Sequence, residues 1–544
     1  MMASAIGARA WPVWDTMSPT KITSPTGAWS SCDMTALFEP LAGLMRFTSI
    51  PYLFLLAFCV ITYFSLPGVR TRTAFLLAVS AAFYLLLSPR TFLVLLAVTG
   101  FSYALGLALD HPTLLHGRAL GPAARRWLLA AGIVAIVGVL VGYKYVPFLG
   151  RLASGILGNP GGVPSWTLAK LALPIGVSFW TFQSIAYLVD VYRGKTAAVR
   201  NPFTFSLAVM FFPIVTSGPI TRVQALTEQL EREHRFSYEG MQSGLLLIGL
   251  GFFKKLLIAD RLAVFVNTVF DHPGAFTPTR NSLVLLVAAV FFSVQLYCDF
   301  SGYTDIVRGS ARLFGVELPL NFSAPYFSRS VREFWRRWHM TLMDWFREYL
   351  YIPLGGSRKG TVRRYVNLLI VFAVSGLWHG AGFTYLAWGL LNGFYVVIGE
   401  LLGPVRDGAV RLLGINRATF GHRVFQTVAT FSLITVAWVF FRANSISDAL
   451  YIIPRMFSPT AWVLTDGTLT RQGLSAAELS VALVSVGVLG VMEWLSINRD
   501  VLGALNRQHL VFRWGVYYGL ILTVVIFGHY GGTYNPADFL YFKY

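Results

Sequence analysis

Long apolar runs alternate with short polar connections along most of this chain. Runs near 46–66, 72–88, 91–109, 127–147, 171–191, 203–220, 241–269, 282–305, 365–385, 386–402, 425–441, 477–496 and 513–529 come close to the roughly 20 residues an α-helix needs to cross a hydrocarbon core. The pattern predicts an all-α, polytopic transmembrane bundle of about 11 to 13 membrane segments. Several runs are cut by Pro or Gly, notably "LALPIGVSFWTFQSIAYLVDVYRG" and "MFFPIVTSGPITR". Broken backbone survives at membrane depth only when enclosed in protein or lining a watery cavity, so these cuts predict an internal pocket. No internal repeat of the kind secondary transporters carry is visible, which counts against an inverted-repeat transporter.

The stretch from Arg308 to Arg364 departs from this pattern. It holds eleven Arg or Lys against four Asp or Glu and no 20-residue apolar run, which predicts a surface-lying or re-entrant region, 308–364, facing the cytoplasm. Within it, "VREFWRRWHMTLMDWFREYLYIPLGG" has helical periodicity. Val331, Phe334, Trp338, Leu342, Trp345, Tyr349 and Ile352 share one face, while Arg336, Arg337, Asp344 and Arg347 lie elsewhere. His339 falls on the border of the apolar stripe, beside Trp335 and Phe346. An interfacial helix with an aromatic belt and snorkelling arginines accounts for most of these residues. The sharper alternative is that this helix aims His339 into a site.

Composition supports the membrane reading: 55% of residues are hydrophobic and 13% charged, and the mean hydropathy is +0.59. The excess of 44 Lys and Arg over 25 Asp and Glu sits mainly in the short connections. That distribution fits the positive-inside bias and anionic headgroups better than nucleic acid. Cys32, Cys59 and Cys298 have no metal-ligand spacing, so neither a zinc site nor a disulfide framework is expected. Residues 1–44 are polar and lack an apolar run of signal-peptide length; they read as a disordered extension or an upstream start, with 45–544 forming one membrane domain.

Of nine histidines, His111, His116, His234, His272, His422 and His509 lie in loops or near loop ends. His379 and His529 lie within or at the end of apolar runs, where an ionisable group is a functional-site candidate by default. In "SGLWHGAGFTYLAWGLLNG", Gly376, Gly380 and Gly382 are expected to let the backbone leave the helix and a substrate approach. Trp378, Tyr385 and Trp388 are available as flat apolar walls. A neutral imidazole suits the acceptance of a hydroxyl proton near neutral pH, a contribution of roughly 10² to 10⁴ in rate. "QLYCDFSGYTDIVRG" ends an apolar run with Asp299, Ser301, Tyr303 and Asp305, which either line a cavity mouth or cap the helix in the headgroups. Ser301 has no visible base and no nucleophile-elbow motif around it.

"YCDFSGYTDIVRG", "LPLNFSAPYFSRSVREFWRRWHMTLMDWFREYLYIPLGGSRKG" and "SGLWHGAGFTYLAWGLLNG", in this order and spacing, resemble the membrane-bound O-acyltransferase (MBOAT) family, most closely the bacterial branch that modifies alginate and teichoic acid. "LPIGVSFWTFQSIAYLVDVYRG", "FFPIVTSGPITR" and "NPADFLYFKY" fit the same branch, and the resemblance runs from Met45 to Tyr544. It implies a ring of helices around a central tunnel, with re-entrant segments bringing the catalytic residues to its middle. It also implies acyl transfer in the bacterial inner membrane, without a bound cofactor or metal. The donor would be a cytoplasmic thioester, most simply acetyl-CoA, and the acceptor a hydroxyl of an exported, alginate-like polysaccharide or of a periplasmic partner protein. The resemblance places the catalytic histidine at His379 and the second characteristic polar position at His339. Trp335, Arg336, Trp338, Trp378 and Asn392, with Asp299, Ser301 and Tyr303, become candidate substrate-binding residues. Without these motifs, a channel or flippase that moves a lipid-linked sugar or acyl group without bond formation fits equally well.

Overall fold

Residues 47–110, 121–156, 173–277, 282–458 and 465–530 are described in the computed structural model. The 44-residue extension and the closing "NPADFLYFKY" lie outside them. The apolar runs become helices. The chain begins with α1 (Ile50–Ser65), α2 (Gly68–Leu87), α3 (Pro89–Asp110), α4 (Pro122–Lys144) and α5 (Val146–Ile156), then passes into the more buried α6 (Val177–Tyr192), α7 (Pro202–Met210) and α8 (Val223–Leu230). Next, α9 (Tyr238–Phe252) continues through a π-helical stretch, Phe253–Ala259, into α10 (Asp260–Asp271). The long α11 (Leu283–Arg312) packs along α9 and α10. The basic region holds two short helices, α12 (Val331–Arg337) and α13 (Met340–Phe346), and leads to the hairpin of α14 (Thr361–His379) and α15 (Phe383–Leu401). The remaining helices are α16 (Gly403–Leu412), α17 (Phe420–Arg442), α18 (Ile446–Arg455), α19 (Ala476–Ser496), α20 (Val501–Asn506) and α21 (Leu510–Phe527).

Among the described residues, seven helices are long and apolar enough to cross a membrane: α2, α3, α4, α11, α17, α19 and α21. Counted as one span, the pair α15–α16, bent by 51°, brings the number to eight. The expected 11 to 13 segments therefore include several that do not span as single helices: the 241–269 run is interrupted by the π-helical stretch with Lys254 and Lys255, and Pro ends another. The run predicted at 203–220 is the nine-residue α7 followed by non-helical backbone, because Pro213 and Pro219 have no N–H to continue a helix.

The cuts predict an internal pocket; the backbone at 211–220 is instead packed inside the protein, and side chains from neighbouring elements satisfy it. Ser217 donates its N–H to Tyr303 Oη at 3.2 Å, Ile220 donates to Thr341 Oγ1 at 3.1 Å, and Gln183 Nε2 donates to the Ala208 carbonyl at 3.0 Å. Such pairing is obligatory where lipid offers no hydrogen bonds. The π-helical stretch is sealed in a similar way: the Leu256 carbonyl accepts the His529 N–H at 3.0 Å.

Candidate functional site

The centre is built where the α14–α15 hairpin meets the basic region. His379 is the last residue of α14, and residues 380–382 break the helix before α15 begins. The glycines expected to admit substrate have a different neighbour. A Cβ on Gly376 would lie 2.3 Å from the Tyr385 carbonyl oxygen, and one on Gly380 would lie 2.1 Å from the Tyr385 ring. They clear space for the return of α15, and Tyr385 fills it. His379 is thereby held against Trp388, with ring centroids 4.9 Å apart, and against Phe441 at 5.7 Å.

His339 joins α12 to α13, so the continuous amphipathic helix read from periodicity is broken at this residue. Trp338 is extended and His339 is left-handed, with φ 45° and ψ 52°. A non-glycine residue there carries about 1–2 kcal/mol of strain. Asn321 holds the break in place. Its carbonyl accepts the Met340 N–H at 3.0 Å, and its Oδ1 accepts from the Thr341 N–H at 3.3 Å and the Thr341 hydroxyl at 3.0 Å. Periodicity missed this because the apolar stripe counts side chains, whereas the break is made by a loop residue 18 positions earlier.

The same contacts fix the protons. A backbone N–H can only donate, so the Asn321 atom it meets is oxygen, and His339 Nδ1, 3.1 Å away, carries the hydrogen. His379 Nδ1 lies 2.7 Å from the Ser375 carbonyl and must also donate. In each neutral ring the basic atom is therefore Nε2. Both imidazoles are buried, and Trp378 packs against each, 6.1 Å from His339 and 4.8 Å from His379 by ring centroids.

The other sequence candidates divide into two groups. Trp335, Trp338 and Trp378 join Trp388, Trp438 and Phe441 in an aromatic layer around the imidazoles: Trp335 is 5.8 Å from Trp388 and Trp338 5.1 Å from Trp438. Asn392 is fully buried one turn along α15 and donates to the Trp388 carbonyl at 2.8 Å. Asp299, Ser301 and Tyr303 are engaged elsewhere. Asp299 pairs with the buried Lys255 at 2.6 Å, Tyr303 anchors the broken segment after α7, and the buried Ser301 hydroxyl has no hydrogen-bond partner. Their motif reaches the site through Phe300, whose ring lies 4.8 Å from His339.

Two cavities flank this layer at opposite ends of the hairpin. One, of 380 Å³, is lined by Arg332, Arg336, Arg347 and Arg364 over a floor that includes Trp335 and Met340. The other, of 850 Å³, is lined by Tyr385, Asn267, Asp271, Arg442 and Asn444 beside the 381–382 break. On the basic side, Glu400 pairs with Arg332 and Arg364. Nearby, burial pushes the Glu348 carboxyl up, but Lys195, Arg222 and Arg193 hold it below the ordinary carboxylate range.

The described fold and centre define a multi-pass membrane protein with two buried imidazoles in an aromatic layer, a basic cavity near one end of the α14–α15 hairpin and a polar one near the other. The chain belongs to the membrane-bound O-acyltransferase family. The family model matches residues 198–441. The chain is 36% identical over 446 residues to the probable alginate O-acetylase AlgI of Pseudomonas aeruginosa, covering 82% of this chain and 81% of that one. It is 33% identical over 358 residues to the peptidoglycan O-acetyltransferase of Helicobacter pylori, covering 61% and 64% respectively. Similarity to the teichoic acid D-alanyltransferase of Bacillus subtilis is 27% over 227 residues, covering 40% and 56%. Membership makes the chain an O-acyltransferase and decides between catalysis and the channel or flippase reading.

Proposed function

We propose that the protein transfers an acetyl group from a cytoplasmic thioester, acetyl-CoA, to a hydroxyl of an exported, alginate-like polysaccharide or of a periplasmic relay protein. It does so in the bacterial inner membrane, within one acyltransferase domain from 45 to 544. The observation that carries the reading is the pair of buried imidazoles, each with its proton fixed on Nδ1, inside an aromatic layer with a basic cavity towards one end of the α14–α15 hairpin and a polar one towards the other. The names of the relatives favour acetyl over D-alanyl, because the most extensive similarity is to O-acetylating proteins.

In this mechanism the donor's phosphates rest on the arginines of the basic cavity, which suits planar, permanently charged guanidinium groups. The hydroxyl oxygen attacks the thioester carbonyl while Nε2 of His379 takes its proton. The carbon–sulfur bond then breaks and the proton passes to the departing thiolate, leaving an ester and a free thiol with no net change of charge. Nε2 of His339 accepts a hydrogen bond from the incoming hydroxyl or from an amide of the donor and so orients it. The aromatic layer keeps bulk water from the thioester, and holding both reactants together supplies most of the gain.

The test uses purified protein in lipid vesicles with radiolabelled acetyl-CoA and deacetylated alginate oligosaccharide. Wild-type protein should label the oligosaccharide, and His379→Ala should lower the rate by roughly 10² to 10⁴ with donor KM little changed. Unchanged labelling in His379→Ala would remove His379 from the base role.

A further inference from the structure

The end of α14 raises an accounting question. The last carbonyls of a helix have no partners within it, and at 380–382 the chain turns away from α14. The Gly376 carbonyl is met by the Gly380 N–H at 3.3 Å and the Ser375 carbonyl by His379 Nδ1 at 2.7 Å. The three carbonyls that follow are all met by two consecutive residues at the end of α4. Lys144 Nζ donates to the Trp378 carbonyl at 2.6 Å and to the His379 carbonyl at 3.0 Å, and the Tyr145 hydroxyl donates to the Leu377 carbonyl.

Lys144 ends "GIVAIVGVLVGYK", an apolar run with no other charge. Lys144 closes α4 half-buried, and charged groups in apolar runs are usually paired and functional. Here the ammonium meets the negative end of a helix dipole. The family model begins at residue 198, after Lys144 and Tyr145.

We propose that Lys144 is a positioning residue for acyl transfer: with Tyr145 it clamps the open end of α14 and fixes the imidazole of His379 between the two cavities. Its catalytic consequence rests on the reading of His379 as the base. Without the clamp, three carbonyls at the open end of α14 would lose their partners, and the end of the helix would be free to shift from its place. A displacement of about 1 Å at a reacting group is enough to lower a rate by about 10²-fold.

The test compares wild-type, Lys144→Met, Lys144→Arg, Tyr145→Phe and His379→Ala proteins in the vesicle assay above, with amide deuterium exchange followed across residues 377–385. Lys144→Met should exchange faster over this segment and lose about 100-fold in kcat at unchanged donor KM. Lys144→Arg, which keeps charge and donors, should recover both to within a few fold. Tyr145→Phe gives up one of the three bonds and should lose about fivefold, so it carries the test if Lys144→Met does not accumulate. Unaltered exchange in Lys144→Met, or an arginine variant no better than the methionine one, overturns the clamp. If His379→Ala stays active, the base assignment fails, and the exchange result alone decides whether Lys144 holds the end of α14.

Discussion

Two of the buried polar centres among the described residues differ in kind. In one, Lys255 sits between Asp260 at 2.7 Å and Asp299 at 2.6 Å, all on helices that pack directly together. In the other, two imidazoles occur where helices stop: His379 at the end of α14 and His339 at a left-handed break. The first centre closes its charges on one another within continuous packing. The second donates its Nδ1 protons to Ser375 and Asn321, at a helix end and at a left-handed break. Burial of a polar group in a membrane protein is therefore a poor guide to chemistry until its partners are counted. A group neutralised by its own neighbours is architecture; under the proposed function, a group whose proton its neighbours orient is the one that meets substrate.

The largest effect expected from this contrast is on stability. Asp299→Ala leaves Lys255 with one carboxylate of two, and breaking a buried pair from one side destabilises by about 3–5 kcal/mol. Thermal unfolding in detergent should show a large loss, and activity should fall only in proportion to folded protein. Asp299→Asn keeps an acceptor for the ammonium and should recover part of the stability. A variant that folds normally and loses kcat would place Asp299 with the imidazoles and dissolve the distinction.

Asn321→Leu should act on the other centre, with a smaller effect on stability. It removes the acceptor that receives His339 and Thr341, a loss of about 1–3 kcal/mol for buried donors left unpaired. Because the same atom sets the His339 proton, kcat should drop about tenfold beyond what the folded fraction explains. His339→Asn should keep the backbone break better than His339→Val, since asparagine tolerates the left-handed region and β-branched residues do not. Equal folding of the two would mean that the strain at residue 339 is carried elsewhere.

Asn321 also marks how far the sequence could be read. The helical, multi-pass character and the departure of 308–364 were legible because burial in lipid leaves long apolar runs and positive connections. His379 was legible because an imidazole is costly in such a run. Asn321 carried no comparable signal: a lone asparagine in "LPLNFSAP" is ordinary loop composition until the fold brings it to a residue 18 positions away. Lys144 stood in plain view as a charge closing an apolar run, yet its partners lie 234 and 235 residues ahead. Asp299 drew notice by the same reasoning that found His379, and only its ion pair tells the two apart. Gly380 and Gly382 gave a sound prediction of a break, whereas Gly376 stays inside α14, and the close approach of Gly376 and Gly380 to Tyr385 is a matter of helix packing that spacing does not show.

The smallest expected effect concerns the basic cavity. Arg336 is exposed and lines that cavity with three other arginines, so it stands outside both buried centres. If it meets donor phosphates there, it does so as one of several exposed charges, each worth about 0.2–1 kcal/mol. Arg336→Ala should then raise the donor KM about two- to fivefold and leave kcat unchanged, the pattern of lost uniform binding. The difference should shrink as salt is raised from 0.05 to about 0.5 M, because exposed charges are screened over a few ångströms at that strength. Removing a charge from the Lys255 centre should show no such salt dependence, since its partners are dry. A fall in kcat for Arg336→Ala that salt does not alter would instead bring this arginine into the reacting centre and extend that centre towards the basic face.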